Sequence, residues 1–156
     1  MRLQPLPDRA SRDAALAGDL GGLLAAPGWP HEDTAPGLSF LDSGGKAFLI
    51  VDDDGRVAGE CGTKGPPDEA GVVEIGYGLA GPSRGRGLGS AAVAALVDQV
   101  SRNPAVRAIE AEVHVGNIPS IRVIERVGFS PSQPPHNGYV RYLLQCAEEH
   151  LDAANG

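Results

Sequence analysis

The stretch PSRGRGLGSAAVAALVDQV, which begins at Pro82, constrains the fold of this chain more than any other segment. Ahead of an apolar run with helical spacing, it combines glycine with arginine at Arg84, Gly85, Arg86, Gly87 and Gly89. Glycines before a helix leave backbone N–H groups accessible at the positive end of the helix dipole, and arginine suits phosphate oxygens. Because one glycine would be enough for a tight turn between a strand and a helix, the pattern predicts a phosphate-binding loop.

Two common nucleotide-binding loops fit this stretch poorly. A P-loop places Gly-Lys-Ser or Gly-Lys-Thr after its glycines, and this loop has no lysine. The dinucleotide fingerprint, matched weakly by Gly87, Gly89 and Ala92, belongs directly after the first strand of a parallel βαβ unit. Here several strands are predicted earlier, so a dinucleotide-binding protein is the weakest interpretation kept open.

Composition narrows the class of protein. The 156 residues correspond to one domain, and the hydrophobic fraction of 42% is ordinary for a chain that buries a core. A formal charge of -7 argues against a nucleic-acid partner. Cys61 and Cys146 have no neighbouring ligands at metal-binding spacing, so we expect no metal. The sequence shows neither a signal peptide nor an apolar run of membrane-spanning length, which predicts a cytoplasmic protein without a membrane partner.

The first half of the chain is predicted to contain three strands and one helix. RLQPL is typical of an edge strand, and Ser11 is a candidate cap for a helix that runs to about Leu24. Residues 26–45 have the composition of a loop, with Trp29 in the middle of APGWP. KAFLIVDDDGRVAGECG predicts a hairpin around an Asp-Gly turn.

The second half alternates strands and helices. VVEIGYGL predicts a strand, a helix follows from about Gly87 to Val100, and VRAIEAEVHV predicts the next strand. Asn117 is expected to cap a further helix that Gly128 ends, and GYVRYLLQC is the last predicted strand. The predicted order is β-α-ββ-β-α-β-α-β in a single domain over residues 1–147, with a polar tail over 148–156.

Two segments resemble the signatures of the GNAT superfamily of acyl-CoA-dependent N-acyltransferases. Arg84-x-x-Gly87-x-Gly89, directly after a predicted strand, is similar to the pyrophosphate loop of that family. VHVGNIPSIRVIERVGF is similar to its second signature. Within the family, EIGY before the loop and Asn117-x-x-Ser120 after it most resemble the branch of ribosomal-protein N-terminal acetyltransferases.

The resemblance, which covers residues from about 59 to 129, implies both the fold and the ligand. The implied fold is α/β, with a single mixed, mostly antiparallel sheet that has a central splay and flanking helices. The implied ligand is acetyl-CoA, used as a co-substrate, with its pyrophosphate on the loop and its pantetheine arm along the preceding strand. The implied contacts are Gly78, Leu79, Arg84, Gly85, Arg86, Gly87, Leu88, Gly89, Ser90 and Asn117.

The family chemistry implies direct attack of an amine on the thioester within a ternary complex. Glu74, the lone acid in an apolar strand, is the candidate base; the alternative is an outward-facing carboxylate. Ile124 stands where many relatives carry a tyrosine acid, and the branch implies Ser120 as the substitute. The alternative role for Ser120 is a contact to coenzyme A alone.

The sequence indicates little about the amine that accepts the acetyl group. Trp29 and His136 are candidates for its site, and a plug over the core is the alternative for Trp29. The sequence thus predicts an acetyl-CoA-dependent N-acetyltransferase for a small-molecule or peptide amine. The alternative from another class is a non-catalytic acyl-CoA-binding regulatory module of the same fold. Homodimers are common among proteins of this fold.

Overall fold

The computed structural model describes residues 1–146, which form a mixed sheet with helices against both faces. The strands are β1 Arg2–Leu6, β2 Leu24–Ala25, β3 Ala47–Val51, β4 Arg56–Thr63, β5 Val72–Leu79, β6 Ala108–His114, β7 Ser130–Pro131 and β8 Tyr139–Gln145. The helices are α1 Arg9–Leu16, α2 Thr34–Leu38, α3 Leu88–Ser101 and α4 Ile118–Val127. Short 3-10 turns cover Ser39–Ser43 and Gly81–Ser83. The predicted polar tail over 148–156 lies outside the described residues.

The strand order across the sheet is β1-β3-β4-β5-β6-β8-β7, with the short β2 beside β4. Neighbouring strands run antiparallel except at the β5–β6 and β2–β4 pairs. β1 lies at the edge of the sheet, where Pro5 is tolerated because one side of the strand has no ladder to donate to. The predicted fold class is confirmed.

The two central strands part halfway along their length. β5 and β6 pair in parallel only as far as Ile75 and Ala111. β5 then continues to Leu79 with β4 as its neighbour, and β6 continues to His114 with β8 as its neighbour. Each strand is therefore held by its outer partner while a wedge opens between them. This wedge is the predicted splay.

One face of the sheet, called here the α3 face, carries the larger core. Val73 and Ile75 of β5 pack in the same buried cluster as Val93 and Leu96 of α3. Burial of a valine or leucine side chain contributes about 1.5–3 kcal/mol. These contacts hold the start of α3 beside the end of β5.

The opposite face, called here the α2 face, has a second core beneath α1 and α2. Trp29, Leu38, Leu49 and Val57 are buried in it. Because α2 contacts β4 and β5, the more distant strand β6 keeps partly exposed carboxylates on this face, such as Glu110. The α2 face is thus covered at β4 and open at β6.

The first helix differs from its prediction. The carboxylate of Asp8 accepts a hydrogen bond from the Ser11 N–H at 2.8 Å, and the Ser11 hydroxyl accepts one from the Asp8 N–H at 3.2 Å. Asp8 is therefore the cap of a capping box, and the prediction that Ser11 is the cap is wrong. The helix ends well before Leu24 because Gly18 takes a left-handed φ of 97°, which stops a helix.

The prediction of a plain loop over residues 26–45 is also wrong, since α2 and a 3-10 turn lie within it. α2 has five residues, too few to show helical periodicity in the sequence. Thr34 and Leu38 lie about one turn apart on it and are buried. Tertiary burial rather than local propensity therefore holds this helix.

The remaining elements are confirmed. β3 and β4 form the predicted hairpin, with Gly55 at a φ of 76° in its turn. The side chain of Asn117 accepts a hydrogen bond from the Ser120 N–H at 3.3 Å and caps α4. Gly128 takes a φ of 117° after the last turn of α4.

Candidate functional site

A cavity of about 800 Å³ runs along the C-terminal half of β5. On the α3 face it is lined by the loop before α3 and by α4; on the α2 face it is lined by β4 and by the segment around α2. A smaller cavity in the splay adjoins it through Tyr77, Asn117 and Ser120. The cavity is therefore lined by two groups of residues, one from each face of the sheet.

The loop before α3 has the backbone that its glycines predict. Gly85 and Gly87 take φ values of 78° and 79°, which side-chain-bearing residues rarely adopt. A Cβ added at either position would meet no protein atom within 4 Å. Gly87 is the cap of α3 and no side chain caps its N–H groups. The loop thus presents free N–H donors to open space at the positive end of α3.

The side chain of Ser90 shows whether this loop suits a bound phosphate. Its hydroxyl is buried, lies in the first turn of α3 and has no hydrogen-bond partner among residues 1–146. Ser90 also lines the cavity. A buried hydroxyl without a partner costs about 1–3 kcal/mol. An acceptor oxygen of a bound phosphate would satisfy it together with the free N–H groups, so the loop fits the group that the sequence predicts.

Most of the residues that the sequence predicts to contact acetyl-CoA line the cavity. They are Gly78, Leu79, Arg84, Gly85, Gly87, Gly89, Ser90 and Asn117. The guanidinium of Arg84 also donates to the Leu79 carbonyl at 3.3 Å, which ties the loop to the end of β5. Within residues 1–146, Arg86 and Leu88 fall outside the lining: Arg86 donates to the Pro82 carbonyl at 3.0 Å, and Leu88 packs on the core.

Two arginines that sequence reasoning did not place in the site also line the cavity. Arg122 and Arg126 lie on α4 four residues apart, so they share one face of the helix. Together with Arg84 they make the α3 side of the cavity cationic. The i, i+4 spacing was the signal available in the sequence.

Ser120 meets a partner that the sequence did not predict. The hydroxyls of Ser120 and Tyr77 are 3.0 Å apart, and both residues line the cavity at the splay. Burial raises the pKa of Tyr77 above its ordinary value, so the phenol keeps its proton at neutral pH. Strand alternation was the signal: Tyr77 lies two residues after Ile75 and shares its face. Ile124, which stands where many relatives carry a tyrosine, is fully buried.

On the α2 face the cavity ends at Glu60, a residue that sequence reasoning missed. Its side chain is 4% exposed. Oε1 accepts hydrogen bonds from Trp29 Nε1 at 3.1 Å and from Thr34 Oγ1 at 2.7 Å, and Oε2 lies 3.0 Å from His31 Nε2. The His31 Nδ1 accepts from the Asp33 N–H at 3.2 Å, so Nε2 carries the proton and donates to Glu60. Three donors therefore hold this carboxylate.

Gly78 of β5 makes room for this carboxylate. Glu60 and Gly78 are direct partners in the β4–β5 ladder. A Cβ at Gly78 would collide with Glu60 Oε2 and come within 2.9 Å of His31 Cε1. Only glycine therefore fits beneath the Glu60–His31 pair. No local sequence pattern predicts this contact, because it joins residues far apart in the chain.

The predicted base Glu74 lies elsewhere on the same face. Its Oε2 is 2.7 Å from Lys64 Nζ, and its side chain is 30% exposed. Lys64 in turn lies over the ring of Phe40, 5.4 Å from its centre. Lys64 and Phe40 line the cavity, whereas within residues 1–146 Glu74 does not.

The two predicted acceptor residues occupy different surroundings. Trp29 is 6% exposed, packs in the core of the α2 face and meets the cavity only through its hydrogen bond to Glu60. His136 is exposed and its backbone pairs with that of Tyr139. Neither ring lines the cavity in the part of the chain that the structure describes.

Two further findings concern the described chain as a whole. Over residues 1–146, none of the helices has the length and apolar character needed to cross a membrane. The same residues contain no group of three or more His, Cys, Asp or Glu side chains arranged to hold a metal ion.

Comparison with known proteins identifies the family. The model of the acetyltransferase (GNAT) domain matches residues 27–130. The chain is 34% identical over 92 residues to the uncharacterized N-acetyltransferase p20 of Bacillus licheniformis, covering 59% of this chain and 52% of that protein. The match thus spans about half of the relative. The uncharacterized N-acetyltransferase YjdG of Bacillus subtilis is 27% identical over 143 residues, covering 83% and 85%.

Solved structures share the fold. RimL, a ribosomal L7/L12 alpha-N-protein acetyltransferase in complex with coenzyme A, superposes with a TM-score of 0.59 at 22% identity over 69% of this chain and 66% of RimL. Ribosomal-protein-S5-alanine acetyltransferase from Vibrio fischeri gives 0.59 at 17% identity, over 71% and 67%. At these identities the two superpositions show a shared fold. The family prediction is confirmed: the chain belongs to the acetyltransferase (GNAT) domain family.

Proposed function

We propose that this chain is an acetyl-CoA-dependent N-acetyltransferase that moves an acetyl group to a primary amine by direct attack in a ternary complex. One observation carries the proposal: a single cavity joins the loop with the unpartnered Ser90 hydroxyl to a buried carboxylate, Glu60, on the opposite face. An anionic donor and a cationic acceptor would therefore enter from different sides. The relatives named N-acetyltransferases support the same chemistry.

The residues on the α3 side suit acetyl-CoA, which supplies the acyl thioester. The N–H groups from Gly85 to Ser90 and the Ser90 hydroxyl would hold its pyrophosphate, since the Arg84 N–H donates to the Gly81 carbonyl at 3.2 Å. Beyond Ile75 β5 has no pairing with β6, so the strand edge that faces the splay around Leu79 is open for the pantetheine amides. Asn117 lines the same path.

The transfer itself moves three protons. The acceptor ammonium loses one proton to a carboxylate, which releases it to water; the neutral nitrogen then bonds to the acyl carbon and loses a second proton to the same carboxylate as the carbon–sulfur bond breaks, which gives the amide. The Ser120 hydroxyl donates the third proton to the leaving sulfur and is reprotonated from water through Tyr77. Since a thiol has a pKa of about 8.5, this acid makes a modest contribution. An α-amine, with a pKa near 7.7, needs less help than a lysine amine near 10.4.

Two measurements test the function. Calorimetric titration with acetyl-CoA and with NAD decides the ligand, and we expect binding of acetyl-CoA alone. Thiol release is then followed with a panel of small-molecule amines and peptide N-termini. Binding of NAD without acetyl-CoA contradicts the proposal, and binding of acetyl-CoA without turnover on any amine favours the non-catalytic acyl-CoA-binding module.

We further infer that residues 1–147 form one catalytic domain and that the enzyme is cytoplasmic. We expect it to assemble as a homodimer. Sedimentation of the purified chain tests the assembly, and a mass of one chain contradicts it.

A further inference from the structure

Within residues 1–146, the buried carboxylate of Glu60 on the α2 face pairs with neither lysine nor arginine. Glu60 is held by Trp29, Thr34 and His31. Burial of a charge is costly unless it is paired or hydrogen-bonded. Trp29, Thr34 and His31 hydrogen-bond to the carboxylate, and none of the three is a lysine or an arginine, so its charge is left for a ligand in the cavity.

The hydrogen bonds to Glu60 leave its Oε2 with an open lone pair. Trp29 and Thr34 occupy Oε1, while Oε2 accepts from His31 alone. Both ring nitrogens of His31 are engaged, one with Glu60 and one with the Asp33 N–H. Thr34 Oγ1 also accepts from the His31 N–H at 3.0 Å, which fixes its proton toward Glu60. The open lone pair on Oε2 is therefore the basic position in this cluster.

Oε2 is placed at the end of β5 where the acyl group is expected. It lies directly over Gly78, in the part of β5 beyond the last residue paired with β6. Glu74 lies four residues earlier on the strand, about 13 Å away at the usual rise of a strand, and is paired with Lys64. An amine bound to Oε2 is thus beside the reaction centre, and an amine bound to Glu74 is not.

We propose that Glu60 binds the acceptor as its ammonium ion and receives its proton, with Trp29, Thr34 and His31 as positioning residues. The inference rests on the acetyltransferase function proposed above and names its acceptor class: a primary amine that arrives positively charged. The ammonium gives one proton to Oε2, which passes it to water, and the neutral nitrogen then bonds to the acyl carbon. As the carbon–sulfur bond breaks, the nitrogen gives a second proton to Oε2, and the sulfur takes a proton from Ser120, which regains one from water through Tyr77.

The test compares three carboxylates by steady-state kinetics with the best amine from the panel, together with acetyl-CoA calorimetry. For Glu60→Gln we expect kcat/KM for the amine to fall at least about 100-fold while acetyl-CoA affinity stays within about twofold. Glu110→Gln, which removes a partly buried carboxylate paired with Arg141 outside the cavity lining, is the matched control and should keep wild-type kinetics. Loss of turnover in Glu74→Gln with wild-type turnover in Glu60→Gln overturns the inference.

A second variant covers the case in which Glu60→Gln does not fold. Glu60→Asp keeps the charge but withdraws it from Gly78 by one methylene, and we expect kcat/KM to fall about 10-fold with acetyl-CoA affinity retained. Wild-type kinetics in Glu60→Asp and Thr34→Val together overturn the inference. A wild-type chain without turnover on any amine overturns the proposed function as well, whereas an active wild type with an active Glu60→Gln overturns only the role of Glu60.

Discussion

The two halves of the cavity are built in opposite ways. The proposed donor half, Arg84–Ser90 with Asn117 and Ser120, comes mainly from one contiguous loop and would use backbone N–H groups. The proposed acceptor half is assembled from three distant segments, with the side chains of His31, Thr34 and Glu60 packed over Gly78. The donor is a fixed chemical group that one local motif can bind, whereas acceptor recognition depends on long-range packing.

The halves also differ in how far their polar groups are satisfied. Ser90 has a buried hydroxyl without a partner within residues 1–146, while Glu60 accepts three hydrogen bonds. The donor half is therefore completed by its ligand, and the acceptor half is organised before any ligand binds. Changes in the donor half should alter acetyl-CoA affinity, and changes in the acceptor half should alter turnover.

Among substitutions away from Glu60, the largest effect is expected in the donor half, from Gly87→Val. A β-branched residue at a φ of 79° is strained, and its side chain would enter the open space over the loop. We expect the acetyl-CoA Kd measured by calorimetry to rise about 30-fold, which corresponds to about 2 kcal/mol.

Gly55→Val is the matched control. Gly55 has a φ of 76° and open space around its Cβ position, but it lies in the β3–β4 turn. It should lose comparable stability and keep its acetyl-CoA affinity. Equal weakening of acetyl-CoA binding by both variants would mean that strain alone, not the loop's role, explains the loss.

The acceptor half gives the next effect, through Gly78→Ala. The added methyl would displace Glu60 and His31, so we expect kcat/KM for the amine to fall about 10-fold. Gly76→Ala lies on the same face of β5 and brings its methyl to an ordinary 3.5 Å from Lys64 Cε. It should change kcat/KM by about twofold at most. A larger loss in Gly76→Ala would move the acceptor site toward Lys64 and Glu74.

Ser90→Ala separates ligand binding from folding. Removal of the unpartnered hydroxyl should leave urea-unfolding stability equal or higher by about 0.5–1 kcal/mol, because a buried unsatisfied group is lost and alanine favours a helix. Acetyl-CoA affinity should fall about fivefold, the value of one hydrogen bond of about 1 kcal/mol. Unchanged acetyl-CoA affinity would remove Ser90 from the donor half.

The smallest effect is expected from Ser120→Ala at the junction of the halves. A thiolate leaves readily, so kcat should fall only about threefold with acetyl-CoA affinity retained. Tyr77→Phe removes the partner hydroxyl and should lower kcat by less than Ser120→Ala does. A weaker acetyl-CoA Kd at unchanged kcat in Ser120→Ala would assign Ser120 to coenzyme A binding alone.

The same contrast explains what the sequence could predict. The loop glycines, the Asn117 cap and the Gly128 stop are local signals, and the structure has the predicted elements there. Asp8 rather than Ser11 caps α1, because the side chain and the N–H of Asp8 each form one bond of a capping box with Ser11. Aspartate and serine are both common helix caps, so residue type alone did not distinguish them. α2 depends on burial of its side chains, for which five residues carry no periodic signal.

Glu60 shows why the acceptor half escaped prediction. In the sequence it is one carboxylate in a hairpin, while Glu74 is a lone acid in an apolar strand and attracts attention. The difference between them is set by what lies across the sheet: Trp29 and Thr34 cover Glu60, and Lys64 neutralises Glu74. Such partners are fixed by tertiary packing and leave no local pattern.

The most direct test of the divided cavity is calorimetric titration of acetyl-CoA into Glu60→Gln and Gly87→Val side by side, with thiol release from the same preparations. We expect Glu60→Gln to bind acetyl-CoA like the wild type and to lose turnover, whereas Gly87→Val should lose acetyl-CoA affinity. Parallel loss of acetyl-CoA affinity in both variants, or full turnover in Glu60→Gln, would contradict the division of the cavity into a donor half and an acceptor half.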